Sequence, residues 1–184
     1  VWACLSPQIR IFYTSSSNLL IEEVADALNG FIGTDKDETL YSAIFGITKD
    51  IKSKNTGDVF NIEGRSGKGF SLILRTSGGS TTGIHPNLII VDDAVGQKDR
   101  TSQAERDEKE KWFDTLNPLL VPWFDPVSTM KIETILYIGT VWHFRDLTNY
   151  ILKKNETLPD HLKWDIEIES IYKPGERPKS NYPD

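Results

Sequence analysis

The chain has 184 residues, 38% of them hydrophobic, enough for one domain with a real core but not for two of full size. Its net charge of -6 argues against a surface that binds nucleic acid unaided, because that affinity comes largely from basic side chains neutralising phosphates. Cys4 is the only cysteine, which excludes an intramolecular disulfide and a cysteine-based zinc cluster and fits a reducing compartment.

The chain opens on Val1-Trp-Ala-Cys-Leu5, without an initiator methionine, in the manner of a last helical turn ended by Ser6-Pro7. The expectation is a chain that starts inside an element. Ile9 to Tyr13 reads as a strand, and Ser15 to Asn18 offers N-caps for a helix whose apolar positions Leu20, Val24, Ala27, Leu28 and Phe31 recur at helical spacing. Gly30 and Gly33 mark its exit. A strand followed by a helix begins a βαβ unit. Residues 34–57 give a mixed, peripheral signal around Leu40, Ile44 and Phe45.

Val59 to Ile62 and Phe70 to Leu74 favour extended structure on either side of Glu63-Gly-Arg-Ser-Gly-Lys-Gly69, which predicts a hairpin. Its tip contains Ser66-Gly67-Lys68, but a phosphate-binding loop needs glycine where this chain has Ile62 and Ser or Thr where it has Gly69. Such a loop must also run into a helix, not a strand. Lys68 therefore reads as an exposed hairpin tip. Ser77-Gly-Gly-Ser-Thr-Thr-Gly83 is made of small residues throughout. It can bring backbone close to a ligand or another strand, or serve as a flexible loop.

Leu88-Ile-Ile-Val-Asp-Asp93 is an unbroken apolar run closed by two carboxylates. The absence of polar alternation predicts a strand buried on both faces of a parallel sheet, and ligands in such sheets collect beyond the strands' carboxyl ends. This is the Walker B pattern, in which the last carboxylate of the strand holds Mg²⁺ on a nucleotide and the next acid orients water. An apolar strand ending in Asp is also common in α/β proteins of other kinds.

Ala94 to Thr101 reads as a loop, and Ser102 as the N-cap of a helix with Glu105 three residues on as a capping box. Trp112, Leu116 and Leu119 continue its buried face, the charges from Glu105 to Lys111 its solvated one, and Pro118 and Pro122 stop it. Thr134 to Ile138 is a further buried strand, ending in Gly139-Thr140, with Trp142-His143 and a helix near Asp146 to Lys154 behind it. A hydroxyl at such a strand end can touch a γ-phosphate or simply cap a turn. His143, with no second His or Cys nearby, makes a poor metal site and fits packing or hydrogen bonding better. Trp164 to Ile168 alternates as a strand, and Tyr172-Lys-Pro-Gly-Glu-Arg-Pro178 reads as a linker or tail. No apolar stretch approaches the roughly 18 residues needed to span a bilayer and no signal-peptide pattern is present, so a soluble cytoplasmic protein is expected.

In combination these pieces resemble the ATPase domain of the large terminase subunit, the motor that packages DNA into tailed-phage heads. The resemblance rests on Ile9-Arg-Ile-Phe-Tyr-Thr-Ser15, Ser77 to Gly83, Leu88 to Asp93, Ser102 and Arg106 before Trp112-Phe113, and Ile138-Gly-Thr-Val-Trp-His143 with Asp146-Leu147. It covers most of residues 1–170 in the right order. It implies an α/β, three-layer, P-loop NTPase-like (ASCE type) fold: a mostly parallel sheet with helices on both faces and its P-loop strand missing. Residues 1–170 would be a partial ATPase domain and residues 171–184 a linker toward an absent nuclease domain. It makes Asp92 the Mg²⁺ ligand, Asp93 the catalytic acid and Gly139 and Thr140 part of the motif coupling nucleotide state to motion. Many relatives carry Glu at the position of Asp93, and Val141 stands where they often have Arg.

The family's cofactors are Mg²⁺ and ATP; its partners are double-stranded DNA, the portal protein, the small terminase subunit and further copies of itself, with no membrane, in the cytoplasm of a bacterial host. Without a P-loop this chain alone is expected neither to bind the cofactors nor to hydrolyse ATP, being either a fragment or a prophage remnant acting through protein contacts. The family sheet sets the P-loop strand between the Gly139-Thr140 strand and the final one. The chain is therefore expected to pair Trp164–Ile168 with Thr134–Ile138, or to have another chain fill the gap.

Overall fold

A computed structural model describes residues 6–34, 39–50, 57–66, 69–124 and 131–168, with the side chain of Arg100 left out. The chain divides into two units, Val1–Ile151 and Leu152–Asp184. The first is built on a five-stranded sheet in the order β2-β3-β1-β4-β7, comprising β1 (Ile11–Ser15), β2 (Val59–Phe60), β3 (Leu72–Thr76), β4 (Leu88–Asp92) and β7 (Thr134–Ile138). β3, β1, β4 and β7 run parallel, and only β2 is antiparallel, to β3. A separate short ribbon pairs β5 (Trp123–Phe124) with β6 (Lys131–Ile132). This is a mixed α/β architecture with a mostly parallel sheet.

β1 is central, and all five of its residues are buried. It lies two residues later than the apolar pattern predicts, because its last two positions, Thr14 and Ser15, are polar and yet covered. Helix α1 (Asn18–Phe31) follows, with Ser17 Oγ accepting a hydrogen bond from Leu20 N at 3.3 Å. Its buried stripe is Ile21 and Ala25, supported by Val24 and Leu28, and these pack on Tyr13, Phe60 and Leu74. The stripe is rotated from the expected one, since Ala27 and Phe31 face solvent. The short helix α2 (Leu40–Phe45) is capped by Thr39 and ends on Gly46 at φ 64.

The hairpin expected across residues 59–74 is present, with Val59 opposite Ile73 and Phe60 opposite Leu72. Gly67 and Lys68 at its tip lie outside the described residues, as do the helical turn expected at 1–5 and the linker at 171–184. Between β4 and β7 the chain forms α3 (Gln97–Thr101) and α4 (Gln103–Asp114). α3 lies where a loop was expected. Its apolar signal is nil, but Gly96 N donates to Asp99 Oδ2 at 2.5 Å, and that bond starts the turn. Ser102 caps α4 through Glu105 N at 3.3 Å, and Trp112, Phe113 and Leu116 form its buried side.

Helix α5 (Leu147–Thr157) begins on Asp146, whose Oδ1 accepts from Asn149 N at 3.0 Å. In the second unit Trp164–Ile168 is not a strand, contrary to expectation. The Asn155 side chain supplies the partners a ladder would have given: Trp164 N donates to Asn155 Oδ1 at 2.7 Å, and Asn155 Nδ2 donates to Trp164 O at 3.3 Å. The predicted pairing with β7 is therefore not made by a strand of this chain, and β7 ends the sheet with β4 as its one neighbour among the described residues.

Candidate functional site

The chain leaves β1 for β3 on one side and leaves β4 for β7 on the other, so the strand order reverses between β1 and β4. Beyond the carboxyl ends of two such adjacent strands lies the crevice in which open α/β sheets bind ligands. The residues there are Thr14 and Ser15 from β1 and Asp92 and Asp93 from β4.

Parallel register sets their mutual placement. Tyr13 is opposite Ile90, which brings Asp92 two residues further along the same face, and Tyr13 OH donates to Asp92 Oδ2 at 2.6 Å. Burial, reinforced by this carboxylate, pushes the Tyr13 phenol well above its ordinary value, so at neutral pH it is a proton donor. Ser15 Oγ lies against the same phenol and partly offsets the rise, without the geometry of a full hydrogen bond. Asp93 stands just past the strand at φ 42, a left-handed conformation that Asp tolerates better than most side chains. Its amide donates to Ile138 O at 2.9 Å. Asp92 is itself opposite Ile138, so Gly139 and Thr140 leave the sheet beside the acid pair.

The two ends of the sheet treat buried polar groups differently. At the amino end of β4, Asn87 is 2% exposed and fully engaged: Oδ1 accepts from Arg10 N at 2.7 Å and Nδ2 donates to Val121 O at 2.7 Å. At the carboxyl end, Thr14 Oγ1, Ser15 Oγ and Asp93 Oδ1 are buried with no hydrogen-bond partner among the described residues. Native interiors rarely leave such atoms idle.

The sequence-predicted residues divide as follows. Asp92 and Asp93 sit at the crevice, each partly buried. Gly139 and Thr140 are exposed at the adjoining strand tip. A Cβ on Gly139 would lie 2.7 Å from the Tyr137 hydroxyl, which is held by Thr148 Oγ1 at 2.7 Å, so glycine leaves room for that ring. His143 stacks on Phe144 at 4.3 Å and its Nδ1 accepts from Arg145 N, a packing and hydrogen-bonding role. Buried Asp146 shapes this loop, its Oδ2 accepting from Trp142 N and His143 N at 2.7 and 3.0 Å.

Sequence reasoning missed Tyr13 and Ser15, whose role depends on which strand lies beside β1, and Ser77 and Lys109, which meet across 32 residues. No group of three or more His, Cys, Asp or Glu side chains able to hold a metal occurs among the described residues. Two carboxylates beside idle hydroxyls suit a different mode: Mg²⁺ is commonly held by one or two carboxylates together with substrate phosphates rather than by an all-protein cage. No helix among the described residues is long and apolar enough to cross a membrane. Compared with family models and with curated proteins, the sequence matches none.

Proposed function

We propose that this chain supplies the acidic half of a nucleotide-hydrolysing site in a DNA-packaging motor of the large-terminase type, with a P-loop NTPase-like (ASCE) sheet. The observation that carries this reading is the twin-acid end of β4, set at the strand-order reversal with Gly139 and Thr140 leaving the sheet beside it. In it Asp92 is the residue that would hold Mg²⁺, and the Tyr13 phenol fixes one of its carboxylate oxygens. Asp93 accepts a proton from the attacking water. Being shorter than Glu, it reaches through a second water. Bound Mg²⁺ would neutralise charge on the phosphates during transfer. Gly139 and Thr140, leaving the sheet beside Asp93, couple the occupancy of the site to movement of β7 and the loop behind it.

The 184 residues contain no phosphate-binding loop, so its amide cradle and lysine come from other polypeptide. The reading requires a strand from other polypeptide beside β7, since the family carries its P-loop strand there and β4 is the one neighbour of β7 among the described residues. At a net charge of -6, contact with double-stranded DNA is local or made by another part of the motor, whose further partners are the portal and the small subunit. The test is ATP turnover by a polypeptide joining this chain to an upstream strand that ends in Gly-x-x-x-x-Gly-Lys-Ser/Thr. Asp92→Asn should lower turnover by about 100-fold or more, on the scale of losing one electrostatic stabiliser of the transition state. Unchanged turnover would refute the assignment.

A further inference from the structure

We propose that Lys109 is a positioning residue for the acid pair: through Ser77 it locks the ends of β1 and β3 to the turn that follows Asp93. The inference rests on the reading of Asp93 as the water-activating acid. Ser77, the first residue after β3, is the hub. Its amide donates to Ser15 O at 2.7 Å, and its hydroxyl donates to Ala94 O at 3.0 Å. One residue thereby joins β1, through its amide, to the residue after the second aspartate, through its hydroxyl. Lys109 Nζ then donates to Ser77 Oγ at 2.7 Å and to Ser77 O at 3.2 Å, anchoring the hub to α4.

The placement explains two other features. Asp93 is the one non-glycine residue at positive φ among those described, and it is gripped on both sides: its own amide by Ile138 O, and the next carbonyl by Ser77. A disfavoured backbone state persists only where its surroundings over-determine it. The small residues after Ser77 also acquire a reason. Gly78 is at φ 86, with Lys109 Nζ 3.8 Å from where its Cβ would be, and a Cβ on Gly79 would press on Thr76 O at 3.0 Å. The positive φ of Gly78 and the closeness of Gly79 to Thr76 O favour glycine at both positions of this turn. Lys109 also lies over the Trp112 ring at 5.7 Å, which fixes its stem. Burial draws its amine below the ordinary lysine range while Asp99 and Glu105 oppose the shift, so a strongly hydrated group is being held in a poorly hydrated place.

The test is amide hydrogen exchange, residue by residue, on the 184-residue chain and on Lys109→Met, Lys109→Arg and Ser77→Ala. The clamp predicts that Lys109→Met and Ser77→Ala speed exchange at the Ser77 and Asp93 amides about tenfold relative to Ile89 and Val91 in the same sheet, and that Lys109→Arg, which keeps a donor, restores protection at Ser77. It is overturned if Ser77 and Asp93 keep their wild-type rates in Lys109→Met, or rise only in step with Ile89 as a general loss of stability would make them. Exchange needs neither metal nor nucleotide. Local loosening as predicted, together with unchanged ATP turnover on Asp92→Asn in the polypeptide joined to a phosphate-binding loop, would leave the clamp standing and remove the nucleotide assignment.

Discussion

β1 and β7 flank the same strand, β4, and both are parallel to it and five residues long, yet they have opposite anomalies. β1 reads Ile-Phe-Tyr-Thr-Ser and hides everything, including two hydroxyl side chains that are 0% and 1% exposed. β7 reads Thr-Ile-Leu-Tyr-Ile and hides nothing completely: Leu136 is 46% exposed and Ile138 51%. The more apolar strand is the more exposed one. Composition therefore does not decide burial here; position in the sheet does. β1 has a strand on each side and α1 on its Tyr13 face, whereas among the described residues β7 has one strand neighbour, and its Leu136 and Ile138 are exposed. Tyr137, on its other face, has cover from Phe113, whose ring meets it edge-on at 6.1 Å. Buried polar groups and exposed apolar ones are the informative exceptions in a folded protein. Here the first gather at the centre of the sheet and the second lie along its edge.

The largest expected effect tests the centre against the edge. Ile89→Ala, at a fully buried site in β4, should lower stability by about 2–5 kcal/mol. Leu136→Ala on half-exposed β7 should cost less than about 1 kcal/mol. Urea unfolding of the two variants measures this, and equal losses would show that β7 is covered in solution. A smaller effect of opposite sign is expected from Thr14→Val. It removes a buried hydroxyl without a partner while keeping the shape, and should stabilise the chain by about 1 kcal/mol. Destabilisation would show that something in solution already bonds Thr14 Oγ1.

The smallest effect concerns pH. Burial, with Asp146 and Asp93 adding to it and a hydrogen bond with Thr148 opposing it, pushes the Tyr137 phenol up to about 12 from 10.0. The unfolded chain gives up this proton near pH 10 and the folded chain keeps it, so Tyr137's contribution to stability falls as pH rises from about 10 to about 12. Below that window it contributes no pH dependence. Unfolding of the wild type and Tyr137→Phe across pH 9 to 11.5 should diverge only above about 10, by less than about 1.4 kcal/mol per pH unit.

Much of this architecture was legible in the residues themselves. The run Leu88–Asp92 was a buried strand because nothing polar interrupts it; the bounds of β7 were legible in the same way, but its expected burial was not met, since it lies at the edge of the sheet. The run Ser15–Asn18, within which Ser17 is the cap, and Ser102 gave the helix starts because a hydroxyl before an apolar or charged helical stretch has a backbone amide to accept from. The readings that failed did so where contacts made elsewhere in the chain outweigh local pattern. Thr14 and Ser15 are polar and so ended the predicted strand early, though a central position keeps them in it. Trp164–Ile168 alternates correctly, but the amide of Asn155 takes the bonds a strand needed. The acid pair could be found from sequence; Tyr13 against Asp92, or Lys109 against Ser77, could not, because those contacts exist only once strand order is fixed.

The most direct test of the central claim is paramagnetic broadening of amide signals on adding Mn²⁺ with ATP to the polypeptide that joins this chain to an upstream phosphate-binding loop, alongside its Asp92→Asn variant. The account predicts broadening centred on Ser15, Asp92, Asp93 and Gly139 and abolished by the substitution. Broadening spread over surface carboxylates such as Glu22 and Glu23, unchanged in Asp92→Asn, would contradict it.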